Sequence, residues 1–229
     1  MKRFLLLTSA MTALAMPVAA QTILSLNATG SATAAPDEAV ANFEVQATKP
    51  DASTAQATVN QAIAKAIAAA HGLSNLSITT GGYNSYATAP SDQQRKPSFT
   101  AQQTLTLIQP ADGGVPDAAF SNLLAKLQSE GLLLTGLSGD LSATGRQKLQ
   151  RDAIRNALVA LREEANDIAA TLHKKVGTLE TLSVDADSNI TPPIGPRMMA
   201  MAASAPQSVP DNISVMARVS AKIELNTAP

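Results

Sequence analysis

The longest regular segment in the sequence is the stretch Arg146–Lys175. Its apolar residues recur at alternating steps of four and three, which places them on one face of an α-helix: Ile154, Leu158, Leu161, Ala165, Ile168 and Leu172. Most of the stability of a helix in a protein comes from packing of its apolar face. The stretch therefore predicts a long helix whose apolar stripe is covered by a β-sheet.

The first 20 residues have the composition of a secretory signal peptide. Lys2 and Arg3 precede the mostly apolar run 4–16, and small residues at 18–20 form a cleavage site. The alternative is an uncleaved membrane anchor, but the apolar run is shorter than the ~20 residues that a membrane span needs. We therefore predict an exported mature chain, residues 21–229, without a transmembrane segment.

The composition limits the partners and the compartment of this chain. Without Lys2 and Arg3, 15 of its 17 basic residues remain against 18 acidic ones, a net charge of −3. A nucleic-acid-binding protein would need a clustered basic face with stacking aromatics, whereas only 3% of these residues are aromatic, so we expect no nucleic-acid partner. The lack of cysteine excludes disulfides and thiolate chemistry. It suits the bacterial periplasm, which we predict as the location, with outer-membrane association left open.

Apolar and polar residues alternate with period two in much of the remaining sequence, as is typical of half-buried strands. The predicted strands are 23–35, 39–48, 76–86, 99–108, 132–143, 178–184 and 213–225. Two further apolar stripes predict one helix between Asp51 and Gly72 and another from Pro116 to Glu130. The best strands alternate cleanly, whereas parallel strands covered on both faces would be continuously apolar. We therefore predict one α+β domain, a mostly antiparallel sheet with three helices packed on one face.

Particular residues are expected to set the ends of the helices. Asp51 competes with the capping box Ser53-x-x-Gln56 for the start of the first helix, and Thr144-x-x-Gln147 would cap the long helix. Gly72 and Gly131 are expected to end the first two helices in the left-handed conformation that glycine adopts without strain.

No group of residues in the sequence predicts a catalytic site. His71 and His173 are the only histidines, and each falls at a predicted helix end, where a cation is favoured by the helix dipole. Neither has the i+4 partner or the cysteine that a zinc site would use. Asp37 and Glu38 follow Pro36 in a turn, and acid–base catalysis would need both carboxylates held across a cleft. We expect a solvated turn there, no catalytic residue and no cofactor.

Residues 185–210 have no apolar periodicity and are rich in proline, alanine and methionine, so we predict a long exposed loop. Met198, Met199 and Met201 cluster within it. Thioethers are soft ligands for Cu(I), and exposed methionines also absorb oxidants as reversible sulfoxides. The default interpretation is a loop that packs on a neighbour or takes part in assembly, with no metal bound.

With its elements in order, the chain resembles the SIMPL-domain family of exported bacterial proteins, which includes periplasmic and outer-membrane-associated immunogenic proteins. The resemblance extends over nearly all of the mature chain, and no single piece is highly specific. The matching pieces are the first strand with Gly30 and Ala32; the turn 35–39; the alanine-rich helix after it; the long helix with Ala153, Ala157, Ala165 and Ala169; the loop 196–202; and the final strand.

The resemblance implies a protein without a recognised enzymatic activity. Some family members look like self-assembling proteins that build ring- or channel-shaped oligomers, and some are linked to oxidative or envelope stress. Two departures put in doubt assembly surfaces built from these places. The long helix ends in His173-Lys174-Lys175 where a glycine is more usual, and the segment before Phe99 lacks a Tyr-Arg lead-in.

We therefore predict a non-enzymatic envelope protein that acts as a homo-oligomer or by binding envelope proteins, with peripheral membrane association left open. The alternative is a small-ligand-binding protein or hydrolase whose polar residues converge only in the folded structure. A pocket that holds a histidine beside a carboxylate would favour this alternative, whereas an apolar surface patch would favour the first prediction.

Overall fold

The computed structural model describes residues 22–88, 97–186 and 210–227. The predicted signal peptide and residues 187–209 of the predicted loop lie outside these ranges. Within them, the chain forms strands β1 (Thr22–Ala34) and β2 (Glu38–Lys49), helix α1 (Ala52–Ala70), strands β3 (Ser77–Thr88) and β4 (Ser98–Pro110), helix α2 (Ala118–Ser129), strand β5 (Leu133–Asp140), helix α3 (Ala143–Thr171) and strands β6 (Lys174–Ala186) and β7 (Ile213–Thr227).

The described strands form two antiparallel sheets, where the sequence predicted one. The first has the order β1-β7-β6 and the second the order β3-β4-β2-β5. The strands divide because β1 pairs along its whole length with β7, from Thr22 opposite Leu225 to Ala34 opposite Ile213, and not with the strand that follows it. Helix α3 packs on the three-stranded sheet, and α1 and α2 pack with the four-stranded sheet. The predicted α+β class is confirmed.

Strand β2 lies in the interior of the four-stranded sheet, as its alternation predicts. The small and apolar side chains on one of its faces are buried: Ala39, Ala41, Phe43, Val45 and Ala47. Val59 and Ile63 of α1 and Phe120 and Leu124 of α2 belong to the same core. This continuous apolar core fixes the register of β2, because a slip of one residue would turn these side chains to the opposite face of the sheet.

Helix α3 buries a different stripe from the one that the large apolar residues predict. The buried residues are Leu149, Ala153, Ala157, Leu161, Ala165 and Ala169, so only Leu161 and Ala165 of the predicted set are fully buried. Leu158 and Leu172 are 36% and 51% exposed. The alanines face the sheet because the helix lies against it at close range. A Cβ atom placed on Gly30 of β1 would come within 2.1 Å of the Ala157 backbone nitrogen.

Aspartate and serine side chains cap the helices. Asp51 caps α1, and its Oδ1 accepts a hydrogen bond of 2.7 Å from the Thr54 backbone N–H, so Asp51 and not Ser53 takes the cap position. Asp117 caps α2 in the same way, which leaves Pro116 outside that helix.

The cap expected at Thr144 of α3 is wrong. Ser142 occupies the cap position, and its Oγ accepts a hydrogen bond of 3.0 Å from the backbone N–H of Gly145.

The helix C-termini agree only in part with the predicted glycine stops. Gly131, after α2, has a left-handed φ of 93° as expected. Gly72, after α1, does not have positive φ, and the left-handed residue of that loop is Asn75, with φ 61°. After α3 the left-handed position is taken by His173, with φ 52°, where the family resemblance would favour glycine. The chain turns there directly into β6, so Lys174 and Lys175 belong to a strand and not to the helix end.

Strand β4 contains a polar contact that its alternation does not predict. The pattern places Thr100 on the water-facing side, but this residue is only 3% exposed. Its hydroxyl lies 2.9 Å from Oγ1 of Thr48 on β2 and 3.3 Å from Oγ1 of Thr88 on β3. Thr100 is therefore buried between two neighbouring strands that both offer it a hydroxyl partner.

Candidate functional site

A polar junction formed by Asp37, Asp140, Ser142 and Arg146 joins the two sheets. Asp37 lies in the turn between β1 and β2, and its backbone N–H donates to the carbonyl oxygen of Asp140 at 3.0 Å. Its carboxylate accepts two hydrogen bonds from Ser142, from the backbone N–H at 2.5 Å and from the hydroxyl at 2.8 Å. Because Ser142 is the cap of α3, Asp37 holds the start of that helix to the four-stranded sheet.

Arg146, in the first turn of α3, completes the polar junction. Its Nε donates to the Leu141 carbonyl oxygen at 2.9 Å, and its guanidinium forms an ion pair with Asp140. Glu38 lies nearby, and its pKa is raised above the ordinary carboxyl value, first by burial and then by the negative charges of Asp37 and Asp140. The positive charge of Arg146 offsets part of this effect.

Close backbone packing lies beside the polar junction. A Cβ atom on Gly139 would come within 2.6 Å of Pro210 and 2.9 Å of Pro36. A Cβ atom on Gly114 would come within 2.8 Å of both Gly139 and Pro36. The turn after β1, the end of β5 and the start of the segment that leads into β7 therefore meet with no room for larger side chains.

The polar groups of the junction are engaged with one another. The sequence predicted that Asp37 and Glu38 lie in a solvated turn, and Asp37 is indeed exposed, but its carboxylate is held by Ser142. The carboxylates of Asp37 and Asp140 and the guanidinium of Arg146 each have a partner that orients a turn, a cap or a helix. The polar junction therefore fixes the position of α3 relative to β2 and β5. The sequence signal for it was the run Asp140–Ser142 directly before the long helix.

The two histidines are placed at helix ends, as predicted. His71 is the C-cap residue of α1, and its backbone N–H donates to the Ile67 carbonyl oxygen at 3.0 Å. His173 follows α3. Both side chains are exposed, and they belong to helices that pack with different sheets. The fold therefore does not bring the two imidazoles together.

Within residues 22–88, 97–186 and 210–227, no three or more histidine and acidic side chains are grouped so that they could hold a metal ion. Met198, Met199 and Met201, the cluster that the sequence singled out, lie outside the described residues. Copper binding, oxidant buffering and loop packing by these methionines therefore stay predictions.

A shallow depression lies on the three-stranded sheet, lined by Thr29, Asp185, Met216, Ala217 and Arg218. Its volume is about 40 Å³. Small-molecule sites are typically some 300–1,000 Å³ in size. This depression can therefore hold a water molecule or two but not a substrate.

Strand β6 is the most apolar exposed edge among the described strands. Four of its side chains form a row that is only partly covered: Val176, Leu179, Leu182 and Val184, which are 37%, 49%, 45% and 43% exposed. The row faces the same side as the buried residues of β7, because Val176 pairs with Leu225 and Val184 with Val219. The sequence predicts a strand at 178–184 but not its place at an edge of the three-stranded sheet. We call this row, together with the backbone edge of β6 that no other strand in the described ranges pairs with, the β6 edge.

The fold and these surfaces define a two-sheet α+β domain with a helix-supported polar junction and an open apolar edge. The chain belongs to the SIMPL family of proteins of unknown function (DUF541), whose sequence profile matches residues 24–223. The match covers every described helix and strand wholly or in large part, so the resemblance drawn from the sequence is confirmed. No curated protein gives a significant match.

None of the helices in the described ranges is both long enough and apolar enough to cross a membrane.

Proposed function

We propose that this protein is a non-enzymatic, exported component of the bacterial cell envelope that acts by associating with copies of itself. The observation that carries the proposal is the β6 edge, where four large apolar side chains are 37–49% exposed beside a strand edge that no other described strand pairs with. Exposed strand edges of this kind are templates for pairing with another chain, and folded proteins usually blunt them with charges, proline or cover. An apolar edge that is kept open is best explained by a partner.

Two further observations support a structural rather than a chemical role. The side chains of the polar junction bond to Ser142, to Leu141 and to one another, and so hold the elements in place. Export is supported by the composition of residues 1–20. In this proposal the mature chain acts in the periplasm, with envelope proteins as further partners and with protection against oxidative or envelope stress as the setting in which it is needed.

The test is the mass of the mature chain in solution. The full-length chain is expressed in bacteria, and the purified protein is passed over a size-exclusion column with light scattering at concentrations from about 1 to 100 µM, the range in which weak protein association is populated. A mass that rises above that of one chain supports the proposal. A strict monomer throughout overturns it, and an intact mass that still includes residues 1–20 overturns the export step.

The stress role has its own measurement. A strain that lacks the protein is exposed to peroxide and to detergent beside its parent and beside a strain complemented with the full-length chain. Lower survival that complementation restores supports the proposed setting, whereas equal survival of all three strains under both stresses removes it.

A further inference from the structure

The β6 edge has a charge pattern as well as an apolar row. Lys174 and Lys175 lie at its start, and Asp185 lies near its end. Lys175 pairs across the sheet with Asn226 and Asp185 pairs with Arg218, whose side chains lie on the face away from α3. The strand is therefore basic at one end and acidic at the other, with both charges on the outer face.

Because one end of β6 is basic and the other acidic, its charges are complementary to those of a second copy of β6 that runs antiparallel to it. Because β6 contains two register shifts, the level of each residue is given by its β7 neighbour: Lys175 lies beside Asn226, Thr181 beside Lys222 and Asp185 beside Arg218. When two copies pair antiparallel around the level of Thr181, Lys175 lies opposite Asp185 of the partner subunit on the outer face, and Val176 lies opposite Val184 of the partner subunit on the inner face. Each contact occurs twice, since such an interface uses the same patch on both subunits.

We propose, on the basis of the self-association set out above, that two copies of this chain pair through β6 in opposite directions. The three-stranded sheets then join into one six-stranded sheet with the order β1-β7-β6-β6-β7-β1. The apolar rows meet beside the α3 helices, and the outer face gains two lysine–aspartate pairs. Asp185 also lies beside Arg218 of its own chain in the sheet, which adds positive charge around the carboxylate.

The decisive experiment reverses the charges of the outer face. Sedimentation equilibrium is run on the mature chain as wild type, as Lys175→Glu, as Asp185→Lys, and as an equimolar mixture of the two variants. Each variant alone places like charges together twice, so its dimer dissociation constant should rise about tenfold, equivalent to about 1.4 kcal/mol. In the mixture every lysine again faces an acid, so the heterodimer should form with nearly the wild-type constant.

A second pair of variants tests the apolar row without disturbing the fold. Leu182→Lys, at a side chain that is 45% exposed, should weaken the dimer by roughly 100-fold, because two leucine side chains lose their cover. The matched control is Leu133→Lys on β5, a residue that is 57% exposed on the other sheet and should leave the constant unchanged. Thermal unfolding of each variant verifies that the subunit itself is intact.

The outcomes separate this inference from the proposed function. Wild-type association that both charge reversals and Leu182→Lys leave unchanged means that the chains meet through another surface, which overturns the β6 pairing and keeps the self-association. Weakening by each single reversal without recovery in the mixture overturns the antiparallel register. A wild-type chain that remains a monomer overturns both proposals.

Discussion

The contact between Gly30 and α3 gives the sharpest stability prediction. A Cβ atom at position 30 would lie 2.1 Å from the backbone nitrogen of Ala157, 2.6 Å from the carbonyl oxygen of Ala153 and 2.7 Å from the Cα of Ala157. Real Cβ atoms do not approach other heavy atoms this closely. Gly30→Ala must therefore push the long helix away from β1 or bend the strand beneath it.

The size of the stability loss depends on which atoms a Cβ atom at position 30 would contact. Extra methyl groups in a packed core typically cost 1–3 kcal/mol, and the lower values apply where a flexible side chain can turn aside. Here all three nearest atoms belong to the helix backbone, which has no rotamer to change. We expect Gly30→Ala to lower the free energy of unfolding by about 3 kcal/mol. For a chain of this length that corresponds to a decrease in Tm of roughly 6–12 °C.

The assay is thermal and urea unfolding followed by circular dichroism, with Gly82→Ala as the matched control. Gly82 also lies in a strand, but a Cβ atom there would have nothing within 4 Å and its φ is not positive, so its substitution should change stability by no more than about 0.5 kcal/mol. Adding Ala157→Gly to Gly30→Ala should not restore stability, because the clash is with backbone atoms. A Gly30→Ala protein as stable as wild type, or one rescued by Ala157→Gly, would refute the reasoning.

Three further predictions concern carboxylates. Asp37→Ala removes both hydrogen bonds from Ser142 and should cost about 2 kcal/mol in urea unfolding, so a loss below about 0.5 kcal/mol would contradict the role of the polar junction. The pKa of Glu38 is raised in the fold, so ionisation of this carboxyl destabilises the protein as pH rises through that pKa. Glu38→Gln should therefore have the Tm of wild type near pH 3 and a higher Tm than wild type at about pH 7. Equal Tm values of the two proteins at both pH values would argue against this destabilisation. The pKa of Asp51 is lowered by the Thr54 backbone N–H, so the stabilisation from the Asp51 carboxylate is present at neutral pH and lost as pH falls through the folded pKa. Asp51→Ala should therefore lower the Tm at neutral pH. A Tm that stays below that of wild type in strong acid would contradict this reasoning.

Local patterns in the sequence predicted the elements well and their assembly less well. The alternation at Phe43 and Val45 and the glycine stop at Gly131 depend on neighbouring residues and were confirmed. The division into two sheets depends on whether β1 pairs with β2 or with β7, and both strands offer suitable small residues. A choice between partners so far apart in the chain is made by packing, which no short pattern records.

The buried stripe of α3 shows why size alone misleads. Large side chains such as Leu158 and Leu172 form the more obvious stripe, yet alanines occupy the interface. A helix that rests on a glycine must present small residues, because bulky ones would hold it away from the strand. Gly30 and the alanines at 153 and 157 therefore have to be considered together, although more than a hundred residues separate them in the chain.

The candidate surface could not be predicted from the sequence for the same reason. The apolar residues from Val176 to Val184 recur at steps of three, three and two, because the strand contains two register shifts, so the sequence shows no regular alternation that would mark them as one face. Only the position of α3, which packs mainly over β1 and β7, shows that the cover is incomplete. The polar junction was likewise visible only once Asp37 and Ser142 were brought together by the fold.

The pairing of the first strand with the last has a consequence for how the chain reaches its native state. Ala34 is hydrogen-bonded into a ladder opposite Ile213, so the three-stranded sheet cannot close until nearly the entire polypeptide is available. Contacts between residues so distant in sequence form slowly, because the loop between them must first lose entropy. The four-stranded sheet, made from residues 38–140, can assemble earlier. While the chain is being synthesised, β1 remains without its neighbour until β7 has emerged, so this is the stage at which the chain would most benefit from a chaperone.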